Sequence, residues 1–312
     1  MSKTKIIAEI GINHNGNIDF AKKLIDHAKK AGADLVKFQS YSTDELIRSD
    51  QSLMNYQKKN LSKKISQYEM LKKCELSDND HLLLKKYCKK RKIKFLCTAY
   101  SIEKANFLIK IKERIIKIAS TDSTNLPLIN YILKQKVKVI ISTGVTHLRE
   151  IDLLLKKIKY KKQKDKISIM HCTSYYPANV EMLNLNTISY LKNKYNVDIG
   201  YSDHSSSVIT GALAVMCGAS IIEKHFTLSK KMWGPDHKAS LEFVELKSYI
   251  DNIRFADKAK GLYKKVLSKK ELGVRKQMQK SIVYSKNLKK NHLINKKDLD
   301  SMRPGTGISP LF

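Results

Sequence analysis

The sequence predicts a closed (β/α)8 TIM barrel followed by a small β-rich C-terminal piece. Eight short apolar runs rich in β-branched residues occur before residue 260, and nearly all are followed by a stretch with helical periodicity. Strands that alternate with helices pair in parallel, and eight such units close into a barrel. An open dinucleotide-binding sheet is the alternative, but it needs Gly-x-Gly-x-x-Gly after the first strand, and Gly11 and Gly16 are spaced differently.

The predicted elements follow one another in regular alternation. The strands are expected at residues 5–10, 34–38, 94–96, 115–118, 138–141, 167–170, 197–200 and 220–223. The helices are expected at residues 19–31, 79–91, 102–109, 126–134, 148–157, 186–195, 207–217 and 241–260. One connection, residues 40–77, is unusually long and contains a helical stretch near 67–74. Long connections after barrel strands commonly form lids or walls of substrate sites.

The pattern changes after Gly261, where two short strands at 281–284 and 298–301 precede a Gly/Pro-rich tail at 303–310. We expect a barrel domain over residues 1–265, and a linker with a partial second domain over residues 266–312. About 40 residues are too few for an independent core. The piece is therefore expected to rest on the barrel or on a neighbouring subunit.

The chain carries a formal net charge of +31, which first suggests nucleic acid or another anionic surface as a partner. Almost all of the excess is lysine, whereas bidentate recognition of phosphate and guanine chiefly uses arginine. The lysines are scattered over amphipathic segments, as on solvated helix faces. Neither nucleic acid nor a membrane is therefore expected as a partner. Five widely spaced cysteines, with no Cys-x-x-Cys, favour a reducing cytoplasm.

Reactive polar residues cluster after the predicted strands, on the C-terminal side. A lone Ser or Thr after a strand is usually a helix cap, but eight clusters at one end of a barrel indicate an active site. The clusters are Glu9 with Asn13, His14 and Asn15; Lys37 and Gln39; Thr98; Lys117, Ser120 and Asp122; Ser142 and Thr143; His171, Thr173, Ser174 and Tyr176; Ser202, Asp203 and His204; and Glu223 and His225.

Two histidines, His204 and His225, follow successive strands and predict a metal site, because adjacent strand ends lie within bridging reach. Two imidazoles with water suit a borderline Lewis acid, Mn²⁺ first, with Mg²⁺, Co²⁺ or Fe²⁺ as alternatives. Each histidine by itself could equally be a core residue bonded to backbone.

Lys37 and Lys117 end apolar strands, where a buried ammonium group needs an anion. Together with the hydroxyls of Thr98, Ser120, Ser142 and Ser202, they could hold a phosphate or carboxylate. The alternative is a lysine that forms a Schiff base, as in barrel aldolases that use pyruvate. A third hypothesis, a non-catalytic basic binding protein, conflicts with the retained Glu9 and histidine pair.

The motifs that carry these residues resemble the sialic acid synthase family over essentially the whole chain. They are Ala8-Glu9-Ile10-Gly11-Ile12-Asn13-His14-Asn15-Gly16, Lys37-Phe38-Gln39, Ser142-Thr143-Gly144, His171-Cys172-Thr173, Gly200-Tyr201-Ser202-Asp203-His204-Ser205, Glu223-Lys224-His225-Phe226-Thr227 and Gly234-Pro235-Asp236-His237-Lys238-Ala239-Ser240-Leu241. The tail Arg303-Pro304-Gly305-Thr306-Gly307-Ile308-Ser309-Pro310 is similar to the family's antifreeze-like (SAF) domain.

The resemblance implies a condensation of phosphoenolpyruvate with an N-acetylmannosamine-type aldose in a domain-swapped homodimer. It implies that His204 and His225 bind the metal and that Glu9, Lys117 and Asp236 are catalytic. The phosphoenolpyruvate residues would be Lys37, Thr98, Lys117, Ser120, Ser142, Ser174 and Ser202. The sugar-side residues would be Gln39, Asp122, Tyr176, Asp236 and Arg303.

Three departures from the family pattern bear on the sugar and on the tail. Asp122 stands where many relatives carry Glu, and Cys97-Thr98-Ala99-Tyr100 replaces the commoner Ser-Thr-Pro-Phe. Both lie near the expected acceptor pocket, so the sequence does not choose among N-acetylneuraminate, legionaminate and pseudaminate products. The antifreeze-like piece is expected to be truncated, since relatives continue beyond Ser309-Pro310.

Overall fold

A computed structural model describes residues 3–61 and 65–312. The chain divides into two compact units, Met1–Lys260 and Gly261–Phe312. The division follows Lys260 rather than residue 265, because the last helix of the first unit ends at Ala259 and irregular chain follows it. Within the described ranges, no helix has both the length and the apolar content to cross a membrane.

The first unit is the predicted barrel, a closed sheet of eight parallel strands in sequential order. The strands are β1 Lys5–Gly11, β2 Leu35–Ser40, β3 Lys94–Ala99, β4 Ile115–Ile118, β5 Lys138–Ser142, β6 Ile167–Cys172, β7 Asp198–Asp203 and β8 Ile221–His225. The prediction of eight strands is confirmed. Five of them (β2, β3, β6, β7 and β8) extend two or three residues further than expected, through the polar residues that were assigned to loops.

The helices that surround the barrel agree closely with the prediction. They are α1 Ile18–Ala31, α5 Asp78–Arg91, α6 Ile102–Lys110, α7 Leu126–Lys134, α8 Leu148–Lys157, α9 Asn186–Tyr195, α10 Thr210–Met216 and α11 Phe243–Ala259. Their apolar faces pack on the outside of the sheet, where a continuous core includes Leu24, Phe38 and Ile129. This layer removes the apolar faces of helices and sheet from water, which is the main stabilising contribution.

The barrel interior has an apolar floor and a polar layer above it. Six buried side chains form the floor: Ile7, Leu35, Leu96, Ile140, Met170 and Ile221. Successive residues of a strand face opposite sides, so the second residue after each floor residue also faces inward. Those positions are Glu9, Lys37, Thr98, Ser142, Cys172 and Glu223. The period of two therefore places the polar groups one layer above the floor, toward the C-terminal ends of the strands.

The long connection between β2 and α5 contains three short helices rather than the single one expected. They are α2 Thr43–Leu46, α3 Asn55–Asn60 and α4 Gln67–Cys74. Two small apolar clusters hold the connection, one around Leu53, Leu61 and Met70 and the other around Tyr41 and Cys74, and Trp233 packs against both. The connection is thus anchored on the segment that follows β8.

The second unit contains helix α12 (Lys269–Met278) and the antiparallel strands β9 (Ser281–Tyr284) and β10 (Leu299–Met302). The strands were expected, whereas α12 was missed. Its signal was the pair Ser268 and Glu271, which cap each other's backbone groups at the start of the helix. The assignment of this unit to a truncated antifreeze-like domain stays a prediction.

Candidate active site

A cavity of about 1170 Å³ opens at the C-terminal end of the barrel. Strand ends and strand-following loops line its floor and walls, and the connection between β2 and α5 contributes Met54, Tyr56 and Asn60. Barrel enzymes carry their active sites at this face. Most of the predicted polar residues are therefore brought together in one cavity. The members of the predicted clusters that do not line it are Asn13, His14, Asn15, Asp122, Thr143, His171, Thr173 and Asp203.

Four buried charged side chains form the centre of the cavity. Lys37 Nζ lies 2.9 Å from Glu9 Oε1 and 3.5 Å from Glu223 Oε1. Lys117 Nζ lies 3.4 Å from the same oxygen of Glu223. All four side chains are at most 4% exposed, so each ammonium group depends on these carboxylates to remain charged. The anion that the two lysines require is thus supplied in part by the protein itself, which the sequence reasoning did not foresee.

The pKa values of the two carboxyl groups, Glu9 and Glu223, are shifted in opposite directions. Burial raises the pKa of Glu9 to about 6, against the attraction of Lys37. Burial also opposes the ionisation of Glu223, but the ammonium groups of Lys117 and Lys37 prevail and lower its pKa to about 2. Such a pair provides one permanent anion and one group that gains and loses a proton near neutrality.

A cradle of hydroxyl groups lies around the two lysines. Lys37 Nζ donates to Thr98 Oγ1 at 3.0 Å, and Lys117 Nζ donates to Ser142 Oγ at 2.6 Å. The Ser202 hydroxyl donates to Glu223 Oε1 at 3.2 Å. Cationic donors and hydroxyls on one surface are suited to the oxygens of a phosphate or carboxylate.

The backbone at Gly144 passes close to two serine side chains of this cradle, Ser120 and Ser174. Its N–H donates to Ser120 Oγ at 2.9 Å. A Cβ at this position would lie 2.1 Å from Ser174 Oγ and 3.0 Å from Ser120 Oγ. Glycine lets the backbone after β5 approach both serines, and Ser120 and Ser174 line the cavity.

The histidine pair lies beside the carboxylates. The ring centroids of His204 and His225 are 5.4 Å apart. His204 Nδ1 lies 2.8 Å from the Thr173 carbonyl oxygen, which assigns a proton to Nδ1, and Nε2 lies 3.1 Å from the Tyr176 hydroxyl. A carbonyl that orients the far nitrogen of an imidazole is typical of metal-binding histidines.

His225 fits a metal as well. Its Nδ1 is buried without a hydrogen-bond partner, and burial together with His204 holds its pKa well below the ordinary value, so the ring is neutral. A neutral imidazole is the form that binds metals. In the described part of the chain, no three His, Cys, Asp or Glu side chains are grouped as a ready-made metal site. The fit therefore rests on the two imidazoles.

Three of the five expected sugar-side residues, Gln39, Tyr176 and Asp236, line the cavity. Gln39 Nε2 donates to Glu9 Oε1 at 3.0 Å, and the Tyr176 ring lies 4.1 Å from the His204 ring between centroids. Asp236 is buried, and burial raises its pKa to about 6. These groups are within the same cavity as the lysines.

One expected residue of the barrel does not line the cavity. Asp122 Oδ1 accepts from Asn125 Nδ2 at 3.0 Å, within the turn before α7. Its contact with a sugar stays a prediction. Arg303 is an exposed residue of the second unit, so its part in a site stays a prediction.

Sequence reasoning missed two contributors to the site. Glu223 was placed in the polar cluster but not among the functional residues, although it is the counter-ion of both lysines. The available signal was its position two residues after Ile221, a floor residue. Tyr56 comes from the long connection, where no periodicity indicates which side chains face the cavity.

Comparison with known proteins agrees with this geometry. The NeuB family matches residues 24–265. The N,N'-diacetyllegionaminic acid synthase of Campylobacter jejuni is 41% identical, with 100% of this chain and 93% of that protein covered. The synthase of the same name from Legionella pneumophila is 39% identical, with 98% and 86% covered.

A solved structure shows the same fold at comparable identity. The crystal structure of N-acetylneuraminic acid synthetase from Leptospira borgpetersenii, in complex with citrate, aligns with a TM-score of 0.79 at 33% identity, covering 88% of this chain and 90% of that one. The chain therefore belongs to the NeuB family and is an enzyme of the sialic acid synthase type.

Proposed function

We propose that the enzyme condenses phosphoenolpyruvate with a 2-acetamido aldose and releases phosphate by C–O cleavage. The observation that carries the proposal is the pair of buried ammonium groups, Lys37 and Lys117, within a hydroxyl cradle beside the two histidines. Phosphoenolpyruvate has two anionic groups on a small frame. Glu9 offsets one lysine only while it is ionised, so its protonation increases the positive charge available to a substrate anion.

His204 and His225 would hold the metal, for which we propose Mn²⁺, with Mg²⁺ or Co²⁺ as substitutes. When bound there, it would polarise the carbonyl of the open-chain sugar. The Thr173 carbonyl keeps His204 in the tautomer that this role requires. The neighbouring Asp236 and Tyr176 would contact the sugar.

The remaining chemistry is assigned to the cradle and to Glu9. The methylene carbon of phosphoenolpyruvate forms a bond to the aldehyde carbon, whose oxygen takes up a proton. Water then adds to the former enol carbon and loses a proton, and the C–O bond to phosphate breaks. Glu9, with a pKa of about 6, is suited to carry these protons, and Lys117 offsets the charge of the departing phosphate.

For the acceptor we propose a 2,4-diacetamido aldose, which gives a product of the legionaminate type. The support is that two relatives, at 39% and 41% identity, are named N,N'-diacetyllegionaminic acid synthases. N-acetylmannosamine, which would give N-acetylneuraminate, is the competing acceptor.

The experiment is phosphate release from phosphoenolpyruvate and Mn²⁺ with each acceptor, followed by mass analysis of the product. We expect release only with a sugar present, with the highest kcat/KM for the 2,4-diacetamido aldose. His225→Ala is expected to abolish release, whereas His147→Ala, at an exposed helix start, serves as the matched control. Absence of release with every acceptor, or a borohydride-trapped lysine adduct with pyruvate, would refute the proposal.

A domain-swapped homodimer in the cytoplasm is also part of the proposal. The five cysteines are free thiols, which agrees with a reducing compartment. If Arg303 serves the partner's site, an inactive Arg303→Ala chain mixed with an inactive His225→Ala chain regains activity, because one hybrid site is intact. No recovery after subunit exchange, measured by phosphate release, would contradict the swap.

A further inference from the structure

Tyr56, on α3 in the long connection, reaches into the cavity that the barrel strands form. Its ring stacks on that of Tyr176, with centroids 5.1 Å apart and an interplanar angle of 23°. Tyr176 in turn lies against His204, with centroids 4.1 Å apart. The three rings form a continuous stack that runs from the connection to the proposed metal site.

The hydroxyl of Tyr56 has a directed hydrogen bond. Gln57 Nε2 donates to it at 3.4 Å, and the hydroxyl also interacts with the buried carboxyl group of Asp236. A phenol has a single proton to donate. Because the amide of Gln57 is a donor, that proton remains available to Asp236.

The backbone around these groups is held as well. Asn60 Nδ2 donates to the Pro235 carbonyl at 2.6 Å, so the C-terminal end of α3 is tied to the loop that carries Asp236. Gln57 Oε1 accepts from the Met54 N–H at 2.9 Å, which fixes the start of the same helix. The connection thus positions Tyr56 relative to Asp236 through short and specific contacts.

We propose that Tyr56 is a positioning residue for the acceptor sugar: its hydroxyl orients the Asp236 carboxylate, and its ring supports the face of Tyr176. This inference rests on the proposed function, since it assigns Asp236 and Tyr176 to the sugar. It predicts that loss of the Tyr56 hydroxyl changes the KM for the acceptor sugar and not the KM for phosphoenolpyruvate. The phosphoenolpyruvate cradle is built from β2 to β7 and makes no described contact with Tyr56.

The test is steady-state kinetics of Tyr56→Phe and Tyr56→Leu with phosphoenolpyruvate, Mn²⁺ and the acceptor that the wild type uses best. Loss of a hydrogen bond to a carboxylate is expected to raise the KM for the sugar about tenfold or more in Tyr56→Phe. The KM for phosphoenolpyruvate is expected to change less than twofold. Tyr56→Leu also removes the ring that stacks on Tyr176, and it is expected to lower kcat as well as to raise the KM for the sugar.

Tyr68→Phe is the matched control, because Tyr68 lies in the same connection and its hydroxyl also donates to an aspartate, Asp44, outside the cavity. Its kinetics are expected to equal those of the wild type. An unchanged sugar KM in Tyr56→Phe, or equal shifts for both substrates, would overturn the inference while the proposed function stands. A wild type that releases no phosphate with any acceptor would refute the proposed function and this inference with it.

Discussion

Replacement of Glu223 by Gln tests the central claim that one carboxylate stabilises two buried lysines. The pKa of Glu223 falls from 4.5 to about 2 in the folded chain, a difference of about 2.5 units. At about 1.36 kcal/mol per unit, this corresponds to about 3 kcal/mol of unfolding free energy at pH 7. Since the folded pKa is depressed, the stabilisation is present above pH 4.5 and is lost as the pH falls toward 2.

The same magnitude follows from the ion pairs. Removal of Glu223 leaves Lys117 without its carboxylate partner at 3.4 Å, and breaking a buried pair costs about 3–5 kcal/mol. Equilibrium urea unfolding at pH 7 is the assay, with exposed Glu103→Gln as the control, for which we expect a change within about 0.5 kcal/mol.

The double variant Glu223→Gln with Lys117→Met decides whether the loss comes from the unpaired ammonium group. We expect it to recover at least half of the lost stability, because Lys37 keeps Glu9 at 2.9 Å. A loss below about 1 kcal/mol in Glu223→Gln, or a double variant as unstable as the sum of its single variants, would refute the reasoning.

Three further predictions concern activity. Glu9→Gln is expected to lower kcat by about 10²-fold or more. In the wild type, kcat/KM is expected to fall as the pH drops below about 6, because Glu9 then gains a proton. The variant is expected to lack this pH dependence, as measured by phosphate release from pH 5 to 8. Gly144→Ala would place a Cβ 2.1 Å from Ser174 Oγ and is expected to raise the KM for phosphoenolpyruvate about tenfold. Gly273 has open space around it, so Gly273→Ala is expected to leave this KM unchanged. Equal kinetics for both variants would contradict the role of Gly144 in the cradle. A chelator is expected to abolish phosphate release and added Mn²⁺ to restore it, but not in His225→Ala; full activity in the chelator would count against the metal.

The barrel could be predicted because its signals are local. The alternation of apolar strands with helical segments determines both the number of units and the parallel pairing, as the complete agreement for α7, α8 and α9 illustrates. Helix α12 was missed because its cap at Ser268 precedes a segment without a clear apolar face, since none of its residues is buried.

The site was predictable only to the extent that residues follow strands. His204 and His225 were found because adjacent strands bring their ends together. The contact of Asp122 with Asn125 was not foreseen, because turn geometry is not readable from position alone, and its role toward a sugar stays a prediction. Tyr56 could not be found, since its approach to Asp236 depends on how a long irregular connection packs around Trp233.

The apolar floor of the barrel has a consequence for how the substrate arrives. An apolar layer of low dielectric constant lies directly beneath the lysines. It consists of Ile7, Leu35, Leu96, Ile140, Met170 and Ile221. Low-dielectric walls concentrate an electric field toward the open side of a cleft. The floor thus works as an insulator: when Glu9 gains a proton, the positive charge of Lys37 that is no longer offset acts outward through the mouth of the cavity, toward approaching anions.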